Sequence, residues 1–197
     1  KIVSDLLEPA LTSVYQVTIK DPKQLNEQGD SFADYLSKQG LSILFSPGLD
    51  VERKNKLQLF CSEATLPGSS MATANLDKPV GKVVYTQFLN KLGGVEADLT
   101  ITRLSETEFF LVTAAFTATH VYSWIKEKIE QGQFCVITDV SGAYSMLNIQ
   151  GPKSRELIST VTDPTLMSNE LFPFGTSKTL EIGYQTALAC LLYTSDA

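Results

Sequence analysis

The sequence predicts an α+β fold, and three observations carry that prediction. Residues 95–102 alternate, with Val95, Ala97, Leu99 and Ile101 on one side and Glu96, Asp98, Thr100 and Thr102 on the other. Period-2 alternation marks a strand with one buried face. Gly93-Gly94 separates this run from an upstream run holding Val83, Tyr85 and the Phe88-Leu89 pair, and glycine supplies the positive φ that a tight hairpin turn needs. Residues 117–131 place Val121, Trp124, Ile125 and Ile129 on one helical face and Lys126, Glu127 and Glu130 on the other, the pattern of a helix lying on a core.

Taken in order, residues 1–10 form a short amphipathic segment stopped by Pro9, and 12–20 alternate as a strand. A polar loop at 21–30 leads to a helix at 31–39, with Phe32, Tyr35 and Leu36 at helical spacing, Asp30 or Ser31 as cap and Gly40 as stop. Short strands are expected at 41–45, ended by Ser46-Pro47-Gly48, and at 57–61. Strands at 82–89, 95–104 and 108–114 precede the helix, and strands at 134–140 and 144–150 follow it. Pro152 suits the first turn of a helix reaching Val161, and 179–184 read as a last short strand.

The chain has 197 residues, enough for one large or two small domains. With 43% hydrophobic and 19% charged residues it is globular in composition. A net charge of −6 without a basic cluster argues against nucleic acid as a partner. No apolar run approaches the ~20 residues of a membrane span, so no membrane partner is expected. No basic-then-apolar leader follows Lys1, and the absence of an initial Met suggests a start upstream. Cys61, Cys135 and Cys190 lie far apart in sequence without metal-ligand spacing, and read as buried free thiols of a reducing compartment.

Among polar residues, Asp98 stands opposite Leu99 on its strand. Glu96, two residues away, shares its face by alternation and reads as exposed. Tyr85 either lines a pocket or packs in the core. His120, one helical turn before Trp124, reads as a partly exposed packing residue, and a single histidine supports no Ser/His/Asp or Cys/His constellation. Gly142, Gly151 and Pro152 mark turns.

The series Y-T-x-x-L-N-x-x-G-G-x-x-x-D-L-T-x-T-R-L from Tyr85 to Leu104 resembles the folate-binding, aminomethyltransferase-like domain of dimethylglycine and sarcosine dehydrogenases. That domain also occurs in the glycine-cleavage T-protein and in the regulatory subunit of pyruvate dehydrogenase phosphatase. The resemblance continues through Phe109-Phe110-Leu111-Val112-Thr113, Trp124-Ile125, Thr138-Asp139-Val140, Gln150-Gly151-Pro152-Lys153-Ser154-Arg155, Phe172-Pro173-Phe174-Gly175-Thr176 and Ile182-Gly183-Tyr184, covering about 77–188. It implies tetrahydrofolate as cofactor and a one-carbon donor as second partner. It implies Asp98 as the catalytic acid beside the folate amines, and Tyr85 with Asp98 as folate-binding residues. FAD belongs only to the missing part of the parent enzyme. Ala114 stands where the T-protein pattern has Asn, which leans towards the dehydrogenase branch. The downstream Glu and Arg of the folate site fall beyond the chain, so the fragment is expected to be inactive as it stands. The implied location is the cytoplasm, or the mitochondrial matrix in a eukaryote. A regulatory pseudoenzyme is the alternative from the same family.

A second resemblance covers about 12–73. TSVYQVTI and LQLFCSEATLPGSSMAT are similar to the first part of tail-tube or baseplate proteins of T4-like marine phages, which implies virion assembly partners. CLLYTSDA at 190–197 resembles a translated sequencing adapter. The expected organisation is therefore a chimera: a phage-like segment at 1–76, a truncated folate-binding domain at 77–189 and an artefactual tail at 190–197.

Overall fold

A computed structural model describes residues 13–20, 26–30, 35, 38 and 54–193. In chain order its strands are β1 (Ser13–Lys20), β2 (Lys54–Cys61), β3 (Val83–Leu89), β4 (Val95–Arg103), β5 (Glu108–Ala114), β6 (Cys135–Asp139), β7 (Tyr144–Gln150), β8 (Thr176–Ile182) and β9 (Gln185–Tyr193). Helices α1 (Ala118–Glu127) and α2 (Ser154–Ile158) and short 3-10 turns accompany them among the described residues, and Tyr35 and Lys38 are helical too. The fold is α+β as expected, mostly sheet with few helices. No described helix is long and apolar enough to cross a membrane.

Contacts divide the chain into two units, Arg53–Ala143 and Lys1–Glu52 with Tyr144–Ala197. The first unit holds an antiparallel sheet in the order β3-β4-β5-β2-β6. Its core gathers Leu57, Leu59, Phe88, Ala97, Leu99, Ile101, Phe109 and Leu111 with Val121, Trp124 and Ile125 of α1. Alternation creates this face, and the apolar stripe of α1 covers it. Phe88 and Trp124 stack with centroids 4.7 Å apart, and Lys128 Nζ lies 5.0 Å from the Trp124 ring. Gly68 fits beside this indole because it has no Cβ: one built there would meet the ring at 2.7 Å, and the backbone sits at φ 80°.

The second unit holds an antiparallel sheet in the order β7-β1-β9-β8. Leu147, Ile158, Val161, Met167, Phe172, Leu180, Ile182, Ala187, Ala189 and Leu191 form its core.

Several expectations need correction. The contacts do not divide at 76/77. β1 lies between β7 and β9, and β2 between β5 and β6, so strands from the first 61 residues complete both sheets. Residues 75–81 are no loose linker: Arg103 Nη1 donates to Lys78 O at 2.7 Å and Gly81 N to Arg103 O at 2.8 Å. The residues expected to begin an extraneous tail, Cys190–Tyr193, close strand β9, with Cys190 and Leu191 buried. Val95 is exposed, because the β3–β4 register shifts after Phe88 and leaves Val95 at the hairpin end. Thr102, expected on the polar face, is buried beside Val83, Phe110 and Val112 of that same face. The 117–131 helix opens as a 3-10 turn at Ala115–Thr117 and ends at Glu127, and the 152–161 helix shortens to Ser154–Ile158. The expectations for 1–10, 41–45 and most of 31–39 lie outside the described residues.

Candidate functional site

Strands β3 and β4 carry the site. Their register pairs Gln87 with Asp98 and Tyr85 with Thr100, so Tyr85, Gln87 and Asp98 share one face as direct and diagonal neighbours. That face opposes the core, since Ala97 and Leu99 on either side of Asp98 are buried at 4% and 2% exposure. Towards the strand ends marked by Val83 and Thr102 the face is covered. Towards the hairpin it opens, and Tyr85 is 58% exposed and Asp98 exposed. Tyr85 is therefore a surface aromatic and not a core residue.

The Asp98 carboxylate, its diagonal neighbour on the face, is the main reason the acidity of Tyr85 is weakened; partial burial adds to it, while the Gln87 side chain opposes it. A phenol beside a carboxylate keeps its proton, because losing it would set two anions side by side. The carboxylate is left with lone pairs facing outward. Beneath it, Thr113 Oγ1 donates to the Asp98 carbonyl at 3.0 Å, fixing the backbone from β5. This arrangement can accept hydrogen bonds or a proton from an amine N–H, and offers an aromatic face to a flat ring.

Glu96 does not join Asp98. The register pairs Phe88 with Ala97 and Leu89 with Val95, which leaves Glu96 as the unpaired residue of a bulge. Its carboxylate accepts from Asn90 Nδ2 at 2.9 Å and meets His120 Nε2 of α1 at 2.8 Å. Asn90, the asparagine of the Y-T-x-x-L-N series and given no role of its own in the sequence, organises the turn: its Oδ1 accepts from the amides of Leu92 and Gly94, each at 2.9 Å. Gly93 supplies the positive φ of 83°. An asparagine four residues before Gly94 was the available signal, since Asn side chains close such turns on their own backbone.

The Glu96 carboxyl is held below its ordinary range, first by the Asn90 amide and then by His120. A depressed acid adds stability above its unfolded pKa and loses it as pH falls through the folded value. Glu96→Gln should therefore lower the urea midpoint slightly at neutral pH and leave it unchanged at acid pH, flattening the acid-side loss, and the effect is small because a partly exposed pair is screened. Urea midpoints followed from neutral pH down through the carboxylate range check this. An unaltered acid limb would show that the bond does not depend on charge.

Arg103, the arginine of the T-x-T-R-L series, is structural. Its side chain is buried, donates to the carbonyls of Lys78 and Glu106, and lies 5.7 Å from the Phe109 ring centre. Ala114 ends β5, one residue beyond the Leu99–Thr113 pair and so next to Asp98 across the ladder.

The mixed, mostly β architecture matches a partial aminomethyltransferase fold. The chain is a member of the GCVT N-terminal domain family, which matches residues 48–195. That match takes in residues 48–73 of the segment read as phage-like and 190–195 of the supposed tail, and neither of those resemblances is supported by the relatives described below.

The chain is 38% identical over 119 residues to 4-methylaminobutanoate oxidase (formaldehyde-forming) of Paenarthrobacter nicotinovorans, covering 59% of this chain and 14% of that protein. It is 34% identical over 135 residues to mitochondrial sarcosine dehydrogenase of Mus musculus, covering 61% and 15%. It is 29% identical over 120 residues to the mitochondrial pyruvate dehydrogenase phosphatase regulatory subunit of Mus musculus, covering 61% and 14%. The chain thus spans about a seventh of the length of these curated relatives. Its fold is similar to the crystal structure of glycine cleavage system aminomethyltransferase T from Bartonella henselae, with a TM-score of 0.52 at 20% identity over 73% of this chain and 40% of that one.

Proposed function

We propose that this chain carries part of a folate-binding domain that transfers a one-carbon unit to tetrahydrofolate, within an enzyme of the sarcosine dehydrogenase type. The observation behind the proposal is the exposed Asp98 carboxylate beside the exposed Tyr85 ring on the open end of their sheet face. The donor set fits one side of such a ligand: Asp98 matches an amine N–H, and the Tyr85 ring matches a flat heterocycle. Bound tetrahydrofolate supplies the amine nitrogens on which the one-carbon unit is carried. Asp98 stabilises positive charge developing at that nitrogen and takes up its proton. Tyr85 and Gln87, its neighbours on the face, flank the carboxylate. Any flavin chemistry of the whole enzyme is assigned to residues outside these 197.

The similarity to the phosphatase regulatory subunit favours a second reading, a regulatory domain without chemistry. The two differ in what Asp98 does: the first requires it for transfer, the second does not. A virion role draws no support, since strands from 13–61 pair within both sheets with strands from 83–193.

Titrating tetrahydrofolate into the isotopically labelled chain and following amide chemical shifts tests the reading. Saturable shifts at Tyr85, Gln87, Asp98 and Thr100 are expected. Shifts confined to other residues, or none at all, would overturn it.

A further inference from the structure

We propose that Cys61 and Cys135 form a reversible dithiol–disulfide pair, an oxidation site that fastens the edge strand β6 to β2. The two cysteines are 74 positions apart in the sequence by their numbers alone, yet they face each other directly in the β2–β6 ladder. The ladder bonds identify which kind of pair this is. Ser62 N donates to Phe134 O at 2.7 Å, a bond that joins the residue after Cys61 to the residue before Cys135. Cys61 and Cys135 are therefore a non-hydrogen-bonded antiparallel pair, whose Cα atoms approach to about 4.5 Å with close side chains. Disulfides span Cα separations of roughly 4.4–6.8 Å, so closure needs little backbone movement. Both side chains turn to the α1 side of the sheet, where Cys61 belongs to the core and Cys135 packs against it half-buried.

Accessibility sets the order of steps. Cys135, the more exposed thiol, enters first. Burial pushes both thiols above their ordinary range, Cys61 furthest, while the neighbouring Cys61 thiol eases Cys135 downward. The oxidant is a small disulfide such as oxidised glutathione. The Cys135 thiolate attacks one of its sulfurs, forming a mixed disulfide and releasing one glutathione thiolate. Cys61 then gives up its proton, its thiolate attacks the Cys135 sulfur, and the second glutathione leaves. Two protein thiols have lost two electrons to the small disulfide, which is reduced to two thiols. β6 is the outer strand of its sheet, so the bond covalently secures an edge otherwise held by ladder bonds and packing.

Cys190, buried in the other unit, serves as an internal control. The whole chain, kept dilute, is incubated with oxidised glutathione in mildly alkaline buffer, alkylated and digested with trypsin. The expected product is one cross-linked pair of peptides, 57–82 with 129–153, with Cys190 alkylated. The urea midpoint of the oxidised chain should rise and return on reduction. Cys135→Ser, a change at a half-buried position, should abolish the cross-link, and Cys190→Ser should preserve it. Three alkylated thiols, a reaction that stops at glutathione on Cys135, or linkage only between separate chains would each overturn the proposal.

Discussion

Asp98→Asn should lower one-carbon transfer to tetrahydrofolate by about 10²–10⁴-fold, the contribution of a positioned acid–base group. Affinity for tetrahydrofolate should change by no more than about tenfold, because one ground-state hydrogen bond contributes about 1 kcal/mol net. Asparagine keeps the shape and an accepting oxygen, but it cannot take up a proton or balance a cation. The substitution is at an exposed position, so folding should shift by no more than about 0.5 kcal/mol. The assay uses a polypeptide that joins this domain to its flavin-containing portion. Methylenetetrahydrofolate and formaldehyde are measured together as the N-methyl amine is oxidised. Amine oxidation should continue and formaldehyde should replace methylenetetrahydrofolate. Unchanged methylenetetrahydrofolate formation would return Asp98 to the status of a surface residue and favour the regulatory reading.

Local pattern made much of the Arg53–Ala143 unit legible. The alternation around Asp98 was clean enough to place Ala97, Leu99 and Ile101 in the core and Asp98 outside it, as the structure has them. Three features depend on partners distant in sequence, which period and propensity do not register. The bulge that turns Glu96 to His120 is set by the register with β3 and by the Asn90 turn. The burial of Thr102 and Phe110 depends on what covers their face and not on the strand's own pattern. The pairing of Cys61 with Cys135 joins strands separated by the whole β3-β4-β5-α1 succession. The last strand, β9, was missed for another reason. Its apolar run Ala187-Leu188-Ala189-Cys190-Leu191-Leu192 was broken at Cys190 by reading the following residues as foreign, although a continuous apolar run marks a strand covered on both faces, as the burial of the consecutive Ala189, Cys190 and Leu191 shows.

The same alternation predicts a large and asymmetric effect on stability. Leu99→Ala should destabilise the Arg53–Ala143 unit by about 2–5 kcal/mol, the loss of buried methyl groups plus the cavity they leave. Leu99 is 2% exposed and sits in the cluster with Phe88, Leu111 and Ile125, which α1 closes from above. Its strand neighbours are Thr86 on β3 and Thr113 on β5, both buried, and Thr113 is tied to the Asp98 carbonyl and to Thr117. Such bonded flanks resist collapse into the cavity, which places the cost towards the upper part of that range. Asp98→Ala, one residue away, should lie within about 0.5 kcal/mol of the parent. Urea unfolding compares the two: the Leu99 variant should move its midpoint at unchanged slope, since the surface exposed on unfolding stays the same. A one-residue slip of β4 would exchange the faces and reverse the two results. A stable Leu99→Ala beside a damaged Asp98→Ala would therefore show that the carboxylate is in the core, and with it would fall the assignment of Asp98 to an open folate-facing surface.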